Sequence, residues 1–96
     1  MNAPTPLAAL MSPALALPLD QQPLGRAATV VRVIAPAHAP EWAERLSDLG
    51  FMSGERVMVT ARGRPGGDPL AVRIGTSTFA LRRAEAACIL VTGDPA

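Results

Sequence analysis

The stretch that decides the fold runs from Leu46 to Val91. It opens with Leu46-Ser-Asp-Leu-Gly-Phe-Met-Ser-Gly54, continues with Gly66-Gly-Asp-Pro69 and closes with Leu81-Arg-Arg-Ala-Glu-Ala86 ahead of a short apolar run. These segments hold a helix stop, two hairpin turns and a closing strand. They hold no recognisable catalytic set. The stretch therefore predicts a small β-barrel that binds a partner and is not an enzyme.

A short helix is predicted immediately before Gly50. Trp42, Leu46 and Leu49 fall at the i, i+4, i+7 spacing of one helical stripe. Gly50 is placed to end the helix in the left-handed conformation, and Phe51 is placed to fold back onto the last turn. Because so small a core cannot easily cover the whole stripe, part of it is expected to be exposed for docking. The alternative is that all three residues belong to the core.

Short strands are predicted on both sides of this helix. Residues 27–34 are β-rich with apolar residues on both faces, which indicates a strand buried on both sides or a strand with a bulge. Residues 56–62 alternate, with Val57, Val59 and Ala61 on the inner face. Further strands are expected at 70–74, 79–81 and 89–91. The pattern favours a mainly β fold with one short inserted helix, a small and partly open SH3-like barrel.

The ends of the chain differ in composition from its middle. Residues 1–16 are rich in Ala, Leu and Pro and are predicted to be a disordered tail, residues 17–92 to form one domain, and residues 93–96 to be a C-terminal tail. No Lys or Arg precedes Arg26, and Pro13 and Pro18 interrupt the apolar run. The head is therefore expected to be neither a secretory signal nor a membrane span. Leu17 and Leu19, at strand spacing, are expected to attach the start of the fold to the barrel edge.

Composition narrows the partners. The formal charge of the 96 residues is +1 with both signs scattered, and aromatic residues make up only 3%. The sequence has neither a cluster of basic residues to bind phosphates nor enough aromatic side chains for bases to stack on. Nucleic acid is therefore not an expected partner. Cys88 is the one cysteine, in an apolar run, which excludes an internal disulfide and favours a buried thiol in a cytoplasmic protein.

Metal ligands are sparse. His38, Asp68 and Glu85, with Glu41, are the candidate ligands for a divalent metal, but one His with scattered acids has no spacing typical of a site. The preferred interpretation of His38 is an exposed loop residue. Gly66-Gly67-Asp68-Pro69 lacks the Lys and following helix of a phosphate-binding loop, so it is interpreted as a turn.

The motifs at Leu46-x-x-Leu49-Gly50-Phe51-x-x-Gly54, Gly67-Asp68-Pro69 and Leu81-Arg82-Arg83-x-Glu85-Ala86-x-x-Ile89-x-Val91 resemble the FeoA domain. The resemblance implies a small cytosolic SH3-like protein of bacterial ferrous iron uptake. It implies an accessory protein that binds the cytosolic GTPase domain of the ferrous iron permease without catalysis. The same domain ends metal-dependent transcriptional repressors, which carry a DNA-binding helical domain in front of it.

The predicted partner surface combines the helix stripe with nearby residues. Its members are Trp42, Leu46, Leu49, Phe51, Met52, Arg82 and Arg83. No cofactor is expected, with weak binding of ferrous iron or another divalent metal as the alternative. The alternative function is a metal-sensing regulatory module that binds ferrous or another divalent ion directly. Exposed apolar surface on a small barrel also makes weak self-association an open possibility.

Overall fold

The computed structural model describes residues 16–64 and 66–93, which form one antiparallel sheet with two helices. The elements are, in chain order, β1 (Leu17–Pro18), a 3-10 turn (Leu19–Gln21), β2 (Ala27–Val33), α1 (Glu41–Asp48), β3 (Arg56–Arg62), β4 (Leu70–Ile74), β5 (Ser77–Leu81), α2 (Arg83–Ala86) and β6 (Ile89–Gly93). The strand order is β1-β6-β2-β3-β4-β5, with β1 and β5 at the two ends. The prediction of a mainly β, partly open fold with one short inserted helix is confirmed.

Bulges explain where the burial pattern of the strands departs from simple alternation. The register of β2 against β6 shifts between Val30 and Arg32, which confirms the bulged alternative predicted for this strand. A second shift lies between Val59 and Ala61, where β3 pairs with β4. This bulge turns Ala61 outward, so the predicted inward position of Ala61 is wrong while Val57 and Val59 are buried as predicted.

The start of the fold uses less strand than the Leu17 and Leu19 spacing predicts. Only Leu17 and Pro18 pair with β6, opposite Val91 and Leu90. Leu19 begins the 3-10 turn and is fully buried, whereas Leu17 is about half exposed. The chain is attached to the barrel edge as predicted, but the core contact comes from the turn.

The helix α1 ends as its sequence predicts. Gly50 has φ +111° and its N–H donates to the Ser47 carbonyl at 2.9 Å. The next N–H, of Phe51, donates to the Leu46 carbonyl at 3.0 Å. These bonds satisfy the last carbonyls of the helix and send the Phe51 ring back under it.

The core lies between the inner face of the sheet and the two helices. Its largest fully buried side chains are Phe51, Leu19, Leu46, Leu70, Ile89, Val30, Val59, Val72 and Val91. Phe79 packs against this cluster, with its ring centroid 6.1 Å from that of Phe51. Aliphatic side chains thus supply most of the buried apolar area that stabilises the fold.

Candidate partner-binding surface

Two of the residues predicted for the partner surface lie in the core. Leu46 is 0% exposed and Phe51 is 1% exposed. The central position of the α1 stripe faces the sheet, and the turn after Gly50 carries Phe51 inward beneath the helix. Leu46 and Phe51, unlike the exposed part of the stripe that the sequence predicts, are therefore buried, and neither side chain reaches the surface of the folded domain.

Trp42 does lie at the surface, in an apolar groove beside α1. The groove, called here the Trp42 groove, is lined by Ile34, Ala35, Pro36, His38, Trp42, Ala84, Ala87 and Cys88. Trp42 is half-buried against the core, and Ile34, another lining residue, is 48% exposed. The groove thus presents apolar side chains to any partner that can exclude water from it.

Three separate segments position the Trp42 groove. The connector after β2 carries Ile34, whose N–H donates to the Cys88 carbonyl at 2.8 Å. The helix α1 carries Trp42, and α2 with the residue after it carries Ala84 and Ala87. An ion pair between Arg45 of α1 and Glu85 of α2 joins two of these segments. The groove is therefore held by contacts that do not depend on a ligand.

The other apolar residues of the predicted surface lie apart from this groove. Leu49 is half-buried against the core, and Met52, just past the helix end, is 50% exposed. Neither residue lines the Trp42 groove. The stripe is consequently divided between a buried centre and two partly exposed ends.

Arg82 and Arg83 begin α2 and have different environments. The Arg83 N–H donates to Asp68 Oδ1 at 2.9 Å, and Arg83 Nε donates to Asp20 Oδ2 at 3.4 Å. The backbone N–H of Arg82 donates to Glu85 Oε1 at 2.9 Å, while Arg82 itself is exposed. Of the two guanidinium groups, that of Arg83 is thus already bound to a carboxylate within the fold.

The candidate metal ligands do not form a cluster. The His38 ring lies edge-on to Trp42, with centroids 6.0 Å apart, while Asp68 and Glu85 accept the hydrogen bonds of α2. Across residues 16–64 and 66–93, no three His, Cys, Asp or Glu side chains come together as a metal site. His38 is an exposed loop residue, as predicted, and it also lines the Trp42 groove.

Cys88 closes the floor of the groove. Its thiol donates to the Ala84 carbonyl at 3.4 Å, and burial raises the pKa of the thiol above its usual value because the thiolate would lose its water. At neutral pH the side chain is a neutral thiol, as predicted for a small buried apolar residue.

Ile34, Pro36 and Ala87 are groove residues that the sequence did not single out. The sequence context of Ile34 predicts a strand residue, because it ends a run rich in β-branched residues. The signal that could have found it is Pro36, since a proline two residues later ends strand pairing and leaves the last apolar residue uncovered.

A family model described as the FeoA domain matches residues 17–93. This chain belongs to the FeoA family. The family takes part in ferrous iron transport. None of the curated proteins compared with this FeoA chain is similar enough to count as a match.

Solved structures agree with the family. FeoA of Stenotrophomonas maltophilia, in complex with zinc, is 41% identical, with a TM-score of 0.69 over 76% of this chain and 86% of that one. That protein is described as a procaryotic SH3 domain protein and a candidate activating factor of ferrous iron transport. FeoA of Chlorobium tepidum is 32% identical, with a TM-score of 0.66 over 80% of this chain and 70% of that one. The SH3-like fold predicted for this FeoA chain is confirmed.

A transcriptional repressor is similar in structure over part of its length. A manganese-dependent transcriptional repressor is 26% identical, with a TM-score of 0.68 over 94% of this FeoA chain and 44% of the repressor. In the described part of this FeoA chain, neither helix has the length and apolar character needed to cross a bilayer.

Proposed function

We propose that this FeoA chain is a cytoplasmic accessory protein of ferrous iron uptake that binds the cytosolic GTPase domain of the ferrous iron permease. It acts by contact and without catalysis. The observation that carries the proposal is the Trp42 groove, in which an exposed Ile34 and a half-buried Trp42 face solvent together. Tryptophan in an apolar pocket is the kind of residue that dominates the free energy of protein association.

The groove suits docking because its walls are already in place. The Arg45–Glu85 ion pair links α1 to α2, and the Ile34–Cys88 hydrogen bond fixes the connector to the residue that precedes β6. A surface that is ordered before binding loses less conformational entropy when the partner arrives. The expected partner element is therefore an apolar side chain or short apolar helix of the permease domain that fills the groove.

Residues around the groove would extend the contact. Arg82 is exposed and free to approach acidic groups of the permease domain, whereas the Arg83 side chain is held by Asp20. Leu49 and Met52 lie at the far end of α1 and form a second, smaller apolar area. The proposed surface thus keeps Trp42, Leu49, Met52 and Arg82 from the sequence prediction and adds Ile34.

The test is a binding titration of the intact chain with the soluble GTPase domain of the permease. Ile34→Ser should weaken binding by about tenfold, the equivalent of about 1.4 kcal/mol, because it removes apolar area from the interface. Leu24→Ser is the matched control, since Leu24 is 53% exposed against 48% for Ile34 and lies outside the groove. Equal losses for the two variants, or none for Ile34→Ser, would contradict the groove as the binding surface.

Met52→Ser separates the two ends of the helix. Met52 is 50% exposed, so its loss changes little in the folded domain. If Met52→Ser weakens binding and Ile34→Ser does not, the permease domain binds at the helix end instead of the groove. If neither the wild-type chain nor any variant binds the GTPase domain at any concentration, the proposed accessory role through that domain is wrong.

Direct binding of a divalent metal is the second candidate, and the zinc complex of the 41% identical FeoA supports it. Here His38 is the candidate that keeps no carboxylate or guanidinium partner among the interactions described, while Asp68 and Glu85 accept hydrogen bonds from α2. A zinc or ferrous ion titration followed by backbone NMR tests it. Shifts that saturate around His38 and vanish in His38→Ala would support metal sensing; unchanged spectra would exclude it.

A further inference from the structure

The strand β5 has one open edge. It is the last strand of the sheet and pairs with β4, and within the described residues no strand pairs with its other side. Its sequence, Ser77-Thr-Phe-Ala-Leu81, holds no charged residue and no proline, and Ser77, Thr78 and Ala80 are exposed. Natural edge strands are usually protected by charges, prolines or bulges. This edge lacks those protections.

The turn before β5 determines which backbone groups point outward. Gly75 and Thr76 form a two-residue hairpin loop, Gly75 has φ +59°, and Ile74 lies opposite Ser77. In such a hairpin the residues flanking the loop exchange hydrogen bonds, and bonded pairs then alternate along the ladder. Val72 and Phe79 are therefore a bonded pair, and the N–H and C=O groups of Thr78 and Ala80 point away from β4.

We propose that β5 is the dimer interface of this chain, pairing antiparallel with β5 of a second copy. Thr78 lies opposite Ala80 of the second copy, and Ala80 opposite its Thr78. Each of these two pairs exchanges two backbone hydrogen bonds, and the two-fold axis passes beside Phe79. The arrangement joins two sheets into one and uses the same strand on both copies.

The geometry favours a second copy over a foreign strand because β5 is complementary to itself. The two outward-facing residues, Thr78 and Ala80, are two positions apart. A two-fold axis between them therefore lets the backbone N–H and C=O groups of both residues form hydrogen bonds on each copy. In this register Arg82 lies opposite Thr76 of the second copy, and no like charges meet along the strand.

Phe79 adds an apolar contact to the backbone pairing. It is partly exposed, packs on Phe51 and occupies the unbonded position of the new pair, where side chains approach most closely. The axis places it opposite Phe79 of the second copy, so each ring covers the exposed part of the other. A five-residue edge buries little area, which predicts a weak, concentration-dependent dimer.

Sedimentation equilibrium of the whole chain tests the interface. Wild type should show a monomer–dimer equilibrium. Thr78→Glu with Ala80→Glu places like charges opposite each other twice and should weaken association by roughly tenfold or more. Thr78→Glu with Ala80→Lys is the matched control, because it places unlike charges in the same pairs and should keep the dimer. A monomeric wild type, or a dimer unchanged by the two Glu substitutions, would overturn the proposal.

Hydrogen exchange on the wild type removes any dependence on the folding of variants. The amides of Thr78 and Ala80 should gain protection as protein concentration rises, since their N–H groups are free in the monomer and bonded in the dimer. The Phe79 amide is the internal control. It is bonded to Val72 in the monomer already, so its protection should not rise with protein concentration in the same way. Protection of Thr78 and Ala80 that does not depend on concentration would overturn the β5 interface.

Discussion

Gly63 shows how a single backbone position determines the shape of the loop between β3 and β4. A Cβ built on Gly63 would lie 2.5 Å from the Asp68 carbonyl oxygen. The Gly63 N–H donates to the Pro69 carbonyl at 2.7 Å, so the two ends of the loop meet at this residue. The requirement for glycine is one of space, because its neighbour is backbone and cannot rotate away.

Gly63→Ala should therefore lower the free energy of unfolding by about 3 kcal/mol, the upper part of the range for a group forced into an occupied site. Urea denaturation measures this loss. Gly66→Ala in the same loop is the control: its Cβ would meet nothing within 4 Å, but its φ is +79°. That change should cost about 1 kcal/mol from backbone strain alone. An equal or smaller loss for Gly63→Ala would show that the loop can open without cost.

At the level of elements, the end of α1 was predictable and its exposed face was not. Gly50 and Phe51 carry a local signal for the helix stop, and both behave as that signal indicates. The stripe of Trp42, Leu46 and Leu49 has no such signal, because a helix of eight residues packed across a curved sheet buries its central residue most. Which stripe residue reaches the surface depends on the sheet beneath it, and spacing alone does not contain that information.

Glu85 makes two interactions, a hydrogen bond to a backbone N–H and an ion pair that connects the two helices, and substitutions at this position should distinguish their contributions to stability. It accepts the Arg82 N–H at the start of α2 and pairs with Arg45 of α1. Glu85→Ala should lower the free energy of unfolding by about 1–3 kcal/mol, because the Arg82 N–H loses its partner in a part-buried hydrogen bond.

Glu85→Gln is the matched variant for this prediction. An amide oxygen can still accept the Arg82 N–H, so only the ion pair with the half-exposed Arg45 is lost and the cost should stay within about 1 kcal/mol. Thermal or urea unfolding measures both. If Glu85→Gln costs as much as Glu85→Ala, the charge of Glu85 matters more than its hydrogen bond.

On the scale of the whole molecule, residues 19–22 tie the beginning of the domain to its middle. Leu19 is fully buried in the core. The Arg62 guanidinium, at the end of β3, donates to the Asp20 carbonyl at 2.9 Å and to the Gln22 carbonyl at 2.6 Å. The beginning of the domain is thus held by contacts to a residue 42 and 40 positions later in the sequence.

A chain that starts at residue 23 should consequently lose cooperative unfolding. It lacks β1, the Leu19 side chain and both acceptors of Arg62, and a buried leucine alone contributes about 2–5 kcal/mol, a large share of the stability of a small domain. The control is a chain that starts at residue 16, which keeps all of these contacts and should fold, as the predicted domain boundary at residue 17 requires. Circular dichroism melting compares the two. A cooperative transition in the shorter chain would show that the 3-10 turn is dispensable.

The barrel class was predictable from turns and alternation, whereas the Trp42 groove was not. Ile34, Trp42 and Ala87 come from three different segments, and each looks like an ordinary apolar residue in its own segment. They meet because β2 pairs with β6 and α1 packs against β2. Strand order could not be derived from the sequence, so neither could this meeting. The family motifs restored part of that information, since they identify a known arrangement of the same elements.

The reactivity of the buried Cys88 thiol can measure local opening of the fold. It is the one cysteine of the sequence, its thiol is mostly buried and donates to the Ala84 carbonyl, and burial raises its pKa. We therefore expect a thiol reagent to label it faster when the region around α2 opens. The rate of labelling therefore measures that opening without an engineered cysteine. A molecule bound in the Trp42 groove should lower the rate at which Cys88 is labelled.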